Sequence, residues 1–337
     1  RGCLRASDVL ARFGGDEFAM FRPGMRGPNE ASALASRLVD AVGRPFVIEG
    51  HTLEIATSIG VAMAPGDGAS CDLLLKSADM ALYRAKEEGR RAFRFFEPEM
   101  DARAQARRLL ETDLRRALGA GEFDLYYQPL VSLKTGAITG FEALMRWHHP
   151  TRGMVPPAEF IPLSEEIGLI VPLGEWALRQ ACAEAARWPG DLKVAVNLSS
   201  IQFKAGNVIH AVLTALASSG LPASRLELEI TESILLAESE FNLATLHRLR
   251  SLGVSVSMDD FGTGYSSLSY LRAFPFDKIK IDRSFVRELS EGGGSTAIVR
   301  AVAGLGSSLG ISTTAEGVET DEQFVWLRRE GCTEMQG

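Results

Sequence analysis

The stretch VSMDDFGTGYSSLSYL, residues 256–271, sets two adjacent aspartates, Asp259 and Asp260, at the end of an apolar-alternating run and follows them with glycines and small hydroxyl residues. Taken alone, Asp-Asp-Phe-Gly opens many solvated turns. Other runs of the chain, however, also end on polar groups: Glu142 in FEALMRW, Asn197 in KVAVNL, Glu229 in LELEI, Lys280 in KIKID and Glu316 in ISTTAEG. Five carboxylates meeting in one place repel each other and take up protons unless positive charge sits among them. Divalent cations supply that charge. An all-oxygen set with one Asn carbonyl favours Mg2+ or Mn2+ over zinc. Two ions about 3.5–4 Å apart, bridged by a carboxylate, activate water and stabilise in-line displacement at phosphorus. Asp259 and Asp260 then read as a bridging and a terminal ligand.

Such a cage needs elements that bring these residues together. Short strand-like runs at 193–198, 226–230, 254–259, 278–282 and 311–317 alternate with helical stretches near 175–188, 207–218, 238–252 and 295–309. That alternation predicts parallel βα units. Within the runs, parity separates the faces. Leu226, Leu228 and Ile230 oppose Glu227 and Glu229; Val254, Val256 and Met258 oppose Ser255, Ser257 and Asp259; Ile279 and Ile281 oppose Lys278, Lys280 and Asp282. Apolar faces toward covering helices and polar ends on the other face predict an α/β fold of the (β/α)8 barrel type, with its site at the strand C-termini.

The 337 residues suit two domains, and 46% hydrophobic with 23% charged residues is ordinary for a globular protein. A net charge of −7 argues against a nucleic-acid polymer as partner. Cys3, Cys71, Cys182 and Cys332 form no Cys-x-x-Cys pair, which fits a reducing, cytoplasmic setting. The five histidines, His51, His148, His149, His210 and His247, make no metal-type spacing and read as surface or core residues. No run is apolar enough to span a membrane, and a start without Met predicts a fragment whose full-length form could carry an anchor or sensor upstream.

FEALMRW (141–147), NLS (197–199), EITE (229–232), DDFGTGYSSLSYL (259–271), KIKID (278–282), AEGVE (315–319) and the closing MQG together resemble the successive signatures of EAL-domain cyclic di-GMP phosphodiesterases. The resemblance covers about 105–337. It implies hydrolysis of cyclic di-GMP to linear pGpG with two Mg2+ or Mn2+ ions. It further implies that Glu142, Asn197, Glu229 and Asp259 hold one ion, and Asp259, Asp260 and Glu316 the other. Lys280 and Glu316 would orient and deprotonate the attacking water, and Arg146 would grip substrate phosphate. Asp282 and Gln336 would lie on the substrate side of the site. Glu232 would steady the 259–271 loop and bear on dimer contacts, with Glu319 behind the ligands. No motif position is degenerate, which favours an active enzyme over a receptor that binds without cutting. Relatives continue past MQG with a strand and helix, so the barrel is expected not to close fully.

Residues 1–97 read as mixed α/β, with a strand at 17–21, a helix at 30–42, strands around 54–63 and a helix at 71–89. RFGGDEF (12–18) and ADMALYRAKEEGR (78–90) resemble the second half of a GGDEF diguanylate cyclase domain, giving a partial, nucleotidyl-cyclase-like first domain. Gly14, Gly15, Asp16, Glu17 and Phe18 form its signature loop, and Arg5 and Asp8 sit where that family places an inhibitory product site. With the earlier half of that domain absent from the reading, cyclase activity is not expected; a bifunctional or GTP-regulated full-length protein is the alternative. The charge-dense 98–122 reads as a helix linking the two domains.

Overall fold

The structure is a computed structural model and describes residues 3–337 apart from 49, 50, 54, 90, 232, 233, 235–239, 263–273, 275, 292 and 293. Two compact units divide the chain, residues 1–110 and 111–337, and the division falls within one helix, Pro98–Ala120.

The first unit carries an antiparallel hairpin of β1 (Val9–Gly14) and β2 (Glu17–Phe21), a short ladder of β3 (Phe46–Ile48) with β4 (His51–Leu53), and a parallel pair, β5 (Ile59–Val61) with β6 (Phe93–Phe95). Helices Pro28–Val42 and Cys71–Glu87 bury Ala31, Leu34, Ala35, Ala81 and Ala85. Gly60 lets the second helix lie on β5, since a Cβ there would stand 1.9 Å from the Ala78 carbonyl. The strand expected around 54–63 is shorter, 59–61, because the Met63 N–H turns to the Asp67 carboxylate and ends the ladder.

The second unit is a barrel. Its strands are β7 (Phe123–Ser132), β8 (Ile138–His149), β10 (Lys193–Leu198), β11 (Leu226–Thr231), β12 (Ser255–Phe261), β13 (Lys278–Ile281), β14 (Ser312–Glu316) and β15 (Glu334–Gln336), with β9 (Gly153–Val155) added at the outer end of β8. Parallel pairing runs from β8 through β10 to β15, and β7 bonds antiparallel to both β15 and β8. Two expectations are thereby corrected. The barrel closes, because Met335 and Glu334 pair with Val131 and Ser132 and complete the ring. One strand also runs against the others, because a tight connection at Leu133–Ala137 joins β7 to β8 as a hairpin in place of a helical crossover.

Strand parity positions the rest. Val194, Val196, Leu226, Leu228, Ile230, Val256, Met258, Ile279 and Ile281 join one buried cluster with residues of the covering helices Ile170–Ala185, Val208–Ser219, Glu240–Ser251 and Gly294–Leu309. At the β8–β10 seam Gly140 faces Lys193. Among the described residues no helix is long and apolar enough to cross a membrane.

A Cβ at Gly140 would come within 2.5 Å of the Lys193 carbonyl oxygen, which is backbone and has little room to yield. Gly140→Ala should therefore lower stability by about 1–3 kcal/mol, as overpacking does. Urea denaturation measures it, and an unchanged midpoint would show that the seam accommodates a side chain.

Candidate active site

Lys280 is the centre of the barrel mouth. Only 1% of it is exposed, too little for an ammonium to be kept by water. Its Nζ lies 2.6 Å from Glu229, 2.7 Å from Glu316, 3.2 Å from Glu142 and 3.3 Å from Asp259. Four carboxylates on four strands thus converge on one cation supplied by a fifth, β13. Asn197 donates its amide N–H to Glu142 Oε1 at 2.7 Å, and Gln336 donates to Glu142 Oε2 at 2.7 Å. Gln336 also donates to Gln128 Oε1 at 3.0 Å.

Local structure explains how adjacent aspartates share one site. The β12–β13 register slips between Met258 and Phe261: Met258 pairs with Ile279 and Phe261 with Ile281. This is a bulge, with one extra residue on β12. Asp260 takes up the excess at φ 55°, a region few non-glycine residues enter, and its N–H donates to Asp259 Oδ1 at 3.0 Å. Strict alternation would have sent the two carboxylates to opposite faces. With the bulge, Asp259, Asp260 and Glu316 each offer an oxygen within 4.8 Å of the others.

The strand ends are held by caps. Just beyond Asn197, Ser199 and Gln202 form a reciprocal capping box on helix Ser200–Ala205. After Glu316 the chain turns at Gly317, φ 67°, where a Cβ would lie 2.7 Å from Arg283 Cβ; Thr320 and Gln323 then cap helix Asp321–Arg329. Asp282 does not continue β13. It caps the short helix Arg283–Arg287, accepting from the Ser284 N–H at 3.0 Å. Glu319 is exposed, with its N–H donated to Gln323. Arg146 lies on β8 with its guanidinium over the Tyr126 ring. Glu232 and most of the 259–271 loop lie outside the described residues.

Burial without enough positive charge sets the titration of the cage. Desolvation pushes Glu229 well above the carboxylate range, Lys280 opposing and Glu142 and Asp259 adding to the rise. Burial likewise lifts Glu316 to about 7 against the pull of Lys280. Glu142 is lowered: its desolvation cost is outweighed by Lys280 and by the amides of Gln336 and Asn197. Lys280, despite desolvation, is held well above its ordinary value by the surrounding acids. One ammonium among these carboxylates leaves negative charge in excess, and Glu229 Oε1 is buried with no hydrogen-bond partner. Oxygen donors in excess, one of them orphaned, fit a site for hard divalent cations.

Below the cage lies a second charged layer. Lys278 Nζ bridges Glu227 at 2.9 Å and Glu334 at 2.8 Å, and Thr314 donates to Glu334. Residues that the sequence reading passed over are Gln128, opposite Glu142 in the β7–β8 ladder, and Glu334. Alternation in FDLYYQ, with Phe123, Leu125 and Tyr127 against Asp124, Tyr126 and Gln128, is the signal that marks Gln128 as inward-facing.

In the first unit, Gly14 and Gly15 turn the β1–β2 hairpin, with Asp16, Glu17 and Phe18 following and Arg12 donating to the Gly15 carbonyl at 3.0 and 2.6 Å. Arg5 pairs with Glu30 at 3.2 Å, while Asp8 is paired with Arg22 and accepts the Arg5 N–H.

A closed α/β barrel with an acidic, lysine-centred mouth defines the class. Comparison with known proteins gives the family: residues 111–337 match the EAL domain, and the chain belongs to that family. Residues 1–92 match the diguanylate cyclase GGDEF domain. The bifunctional diguanylate cyclase/cyclic di-GMP phosphodiesterase MucR of Pseudomonas aeruginosa is 43% identical over 341 residues, covering 100% of this chain and 50% of that protein. Cyclic di-GMP phosphodiesterase PdeR of Escherichia coli is 38% identical, covering 99% of this chain and 51% of its own length. The solved PaMucR phosphodiesterase in complex with c-di-GMP is 44% identical with a TM-score of 0.66, covering 68% of this chain and 94% of that one. The chain spans about half the length of the curated relatives it matches.

The direction of the Glu316 shift gives a pH test. Its folded value lies above the ordinary 4.5, so the protonated form favours the metal-free fold. That contribution is complete below 4.5 and is lost as pH rises through about 7. Cation binding requires the ionised form. Thermal stabilisation by Mn2+ should therefore be larger at pH 8 than at pH 6, the apparent Kd weakening about tenfold per pH unit below 7. Differential scanning fluorimetry across a Mn2+ titration at both pH values checks it; equal stabilisation would show that Glu316 takes no part in cation binding.

Proposed function

We propose that the second unit hydrolyses one phosphodiester bond of cyclic di-GMP to give linear pGpG, in the cytoplasm and with two Mg2+ or Mn2+ ions. The convergence of Glu142, Glu229, Asp259 and Glu316 within 3.3 Å of Lys280 Nζ carries the reading. The cyclic di-GMP phosphodiesterases among the relatives, and a c-di-GMP complex of a similar barrel, support the substrate.

Glu142, Asn197, Glu229 and Asp259 would hold one ion, and Asp259, Asp260 and Glu316 the second. Bound there, such cations supply Lewis-acid activation of water and neutralise the charge that grows on phosphate. The chain's residues do the rest. Lys280, kept charged by its acidic surroundings, donates a hydrogen bond that holds the attacking water. Glu316, whose proton is held to about 7, is matched to accept the water proton near neutral pH. Arg146, on the same strand as Glu142, binds a phosphate oxygen. Water attacks phosphorus as the opposite ester P–O bond breaks, leaving a 5′-phosphate and a ribose hydroxyl on one linear dinucleotide. The GGDEF-matching segment makes guanine-nucleotide regulation of the longer protein a natural extension, and the family resemblance extends to homodimers.

Purified chain incubated with cyclic di-GMP and Mg2+ or Mn2+ should give pGpG by ion-exchange chromatography. Nucleotide unchanged after hours would instead identify a receptor. Glu142→Ala and Asp259→Ala should each lower kcat/KM by a factor of about 100 or more, since removing a ligand or orienting partner costs metal affinity and chemistry together. Glu316→Gln should lower kcat far more than it changes KM. A change confined to KM would contradict its role as base.

A further inference from the structure

The inner face of β7 carries one large aromatic residue that the chemistry above leaves unused. Tyr126 stands opposite Leu144 in the β7–β8 ladder, one side-chain period nearer the mouth than the Gln128–Glu142 pair. Two residues of strand advance about 7 Å, which sets the Tyr126 backbone that far toward the mouth from the Gln128–Glu142 level, the span of a base from its phosphate. Residues of the other parity serve packing: Phe123 stacks with Trp147 and Tyr127 meets Trp188 edge-on. Tyr126 does not. It is 45% exposed, beside a buried Leu125 and a half-buried Tyr127. The Arg146 guanidinium lies 5.5 Å from its ring centroid, and the His148 ring is 6.1 Å away. Arg146 gives one N–H to the Met145 carbonyl at 2.9 Å, so backbone and ring both hold the guanidinium.

We propose that Tyr126 is the platform on which one guanine base of the cyclic dinucleotide stacks. The proposal rests on the cyclic di-GMP reading and adds to it the residue that recognises a base. A phenol ring offers a purine a broad flat face and asks nothing of its hydrogen-bonding edge. Recognition at Tyr126 is therefore of an aromatic nucleobase as such. The binding energy comes from a part of the substrate remote from the scissile bond and is present equally before and during reaction, so it acts on KM.

The test compares cyclic di-GMP with bis(p-nitrophenyl) phosphate, a phosphodiester without a nucleobase, on the same Mn2+-loaded chain. Tyr126→Ala should raise KM for cyclic di-GMP about tenfold, the size of one base–aromatic stack, and lower by the same factor the ratio of kcat/KM for cyclic di-GMP to that for the nitrophenyl ester. Tyr126→Phe, which keeps the ring and drops the hydroxyl, should restore most of the loss. An unchanged ratio in Tyr126→Ala, an equal loss on both substrates, or a Tyr126→Phe chain as poor as the alanine variant would each overturn the assignment. Wild-type chain that cleaves the nitrophenyl ester and leaves cyclic di-GMP intact would overturn the substrate reading itself, and the stack with it.

Discussion

The mouth of this barrel depends on one ammonium group. Like charges brought out of water onto a common surface repel strongly, and each desolvated carboxylate can relieve that repulsion by protonation. Lys280 prevents full relief. Reaching Glu142, Glu229, Asp259 and Glu316 at once, it keeps part of the cluster ionised while too few positive charges are present to satisfy all of it. The result is a divided set. Glu142, with two amide donors added to Lys280, is lowered, whereas Glu229 and Glu316 are raised. Within one cluster, protonation is thus favoured at the raised members and ionisation at the lowered one.

The second constraint is geometric. A strand presents alternate residues to opposite faces, so a bare pair of adjacent acids cannot both point into a barrel. The bulge at Asp259–Asp260 resolves the conflict by placing two residues of β12 against one of β13, Lys280. The cost is the left-handed backbone of Asp260, a conformation that Asp tolerates better than most residues because its short side chain bonds locally. Two acids at a strand end thus become two oxygen donors on one rim.

Much of this was legible in the sequence, and the limits have physical causes. Parity within LELEI, VSVSMD and KIKID separated Glu229, Asp259 and Lys280 from the apolar residues packed against helices, because burial on one face imposes a period of two. The reversed β7 was not legible. Its run FDLYYQPLVS alternates like any strand, and only the register with β8 reveals that it runs backward. Closure by β15 was missed for a related reason: three residues, EMQ, carry too little pattern to announce a strand, yet two antiparallel partners on β7 complete the ring. Asp282 read as the next inward residue of KIKID, but the strand ends at Ile281 and the side chain is consumed by a helix cap. The bulge left no trace in composition, since the Asp-Asp pair looks the same with or without it.

Barrels of this class commonly fill their interior with layers of branched apolar side chains. Here the layer beneath the cage is ionic, Lys278 between Glu227 and Glu334. Buried ion pairs seldom improve stability over apolar residues of equal volume, so stability alone is a weak reason for this arrangement. Electrostatics gives a better one. Glu227 lies two residues below Glu229 on the same inner face and adds to the rise in its pKa, so the lower layer is part of the field in which the cage titrates. Lys278 is itself held charged, its desolvation outweighed by Glu227 and Glu334, and Glu334 is correspondingly lowered. An apolar floor of the same shape would hold the strands together as well, but would leave Glu229 without this neighbour.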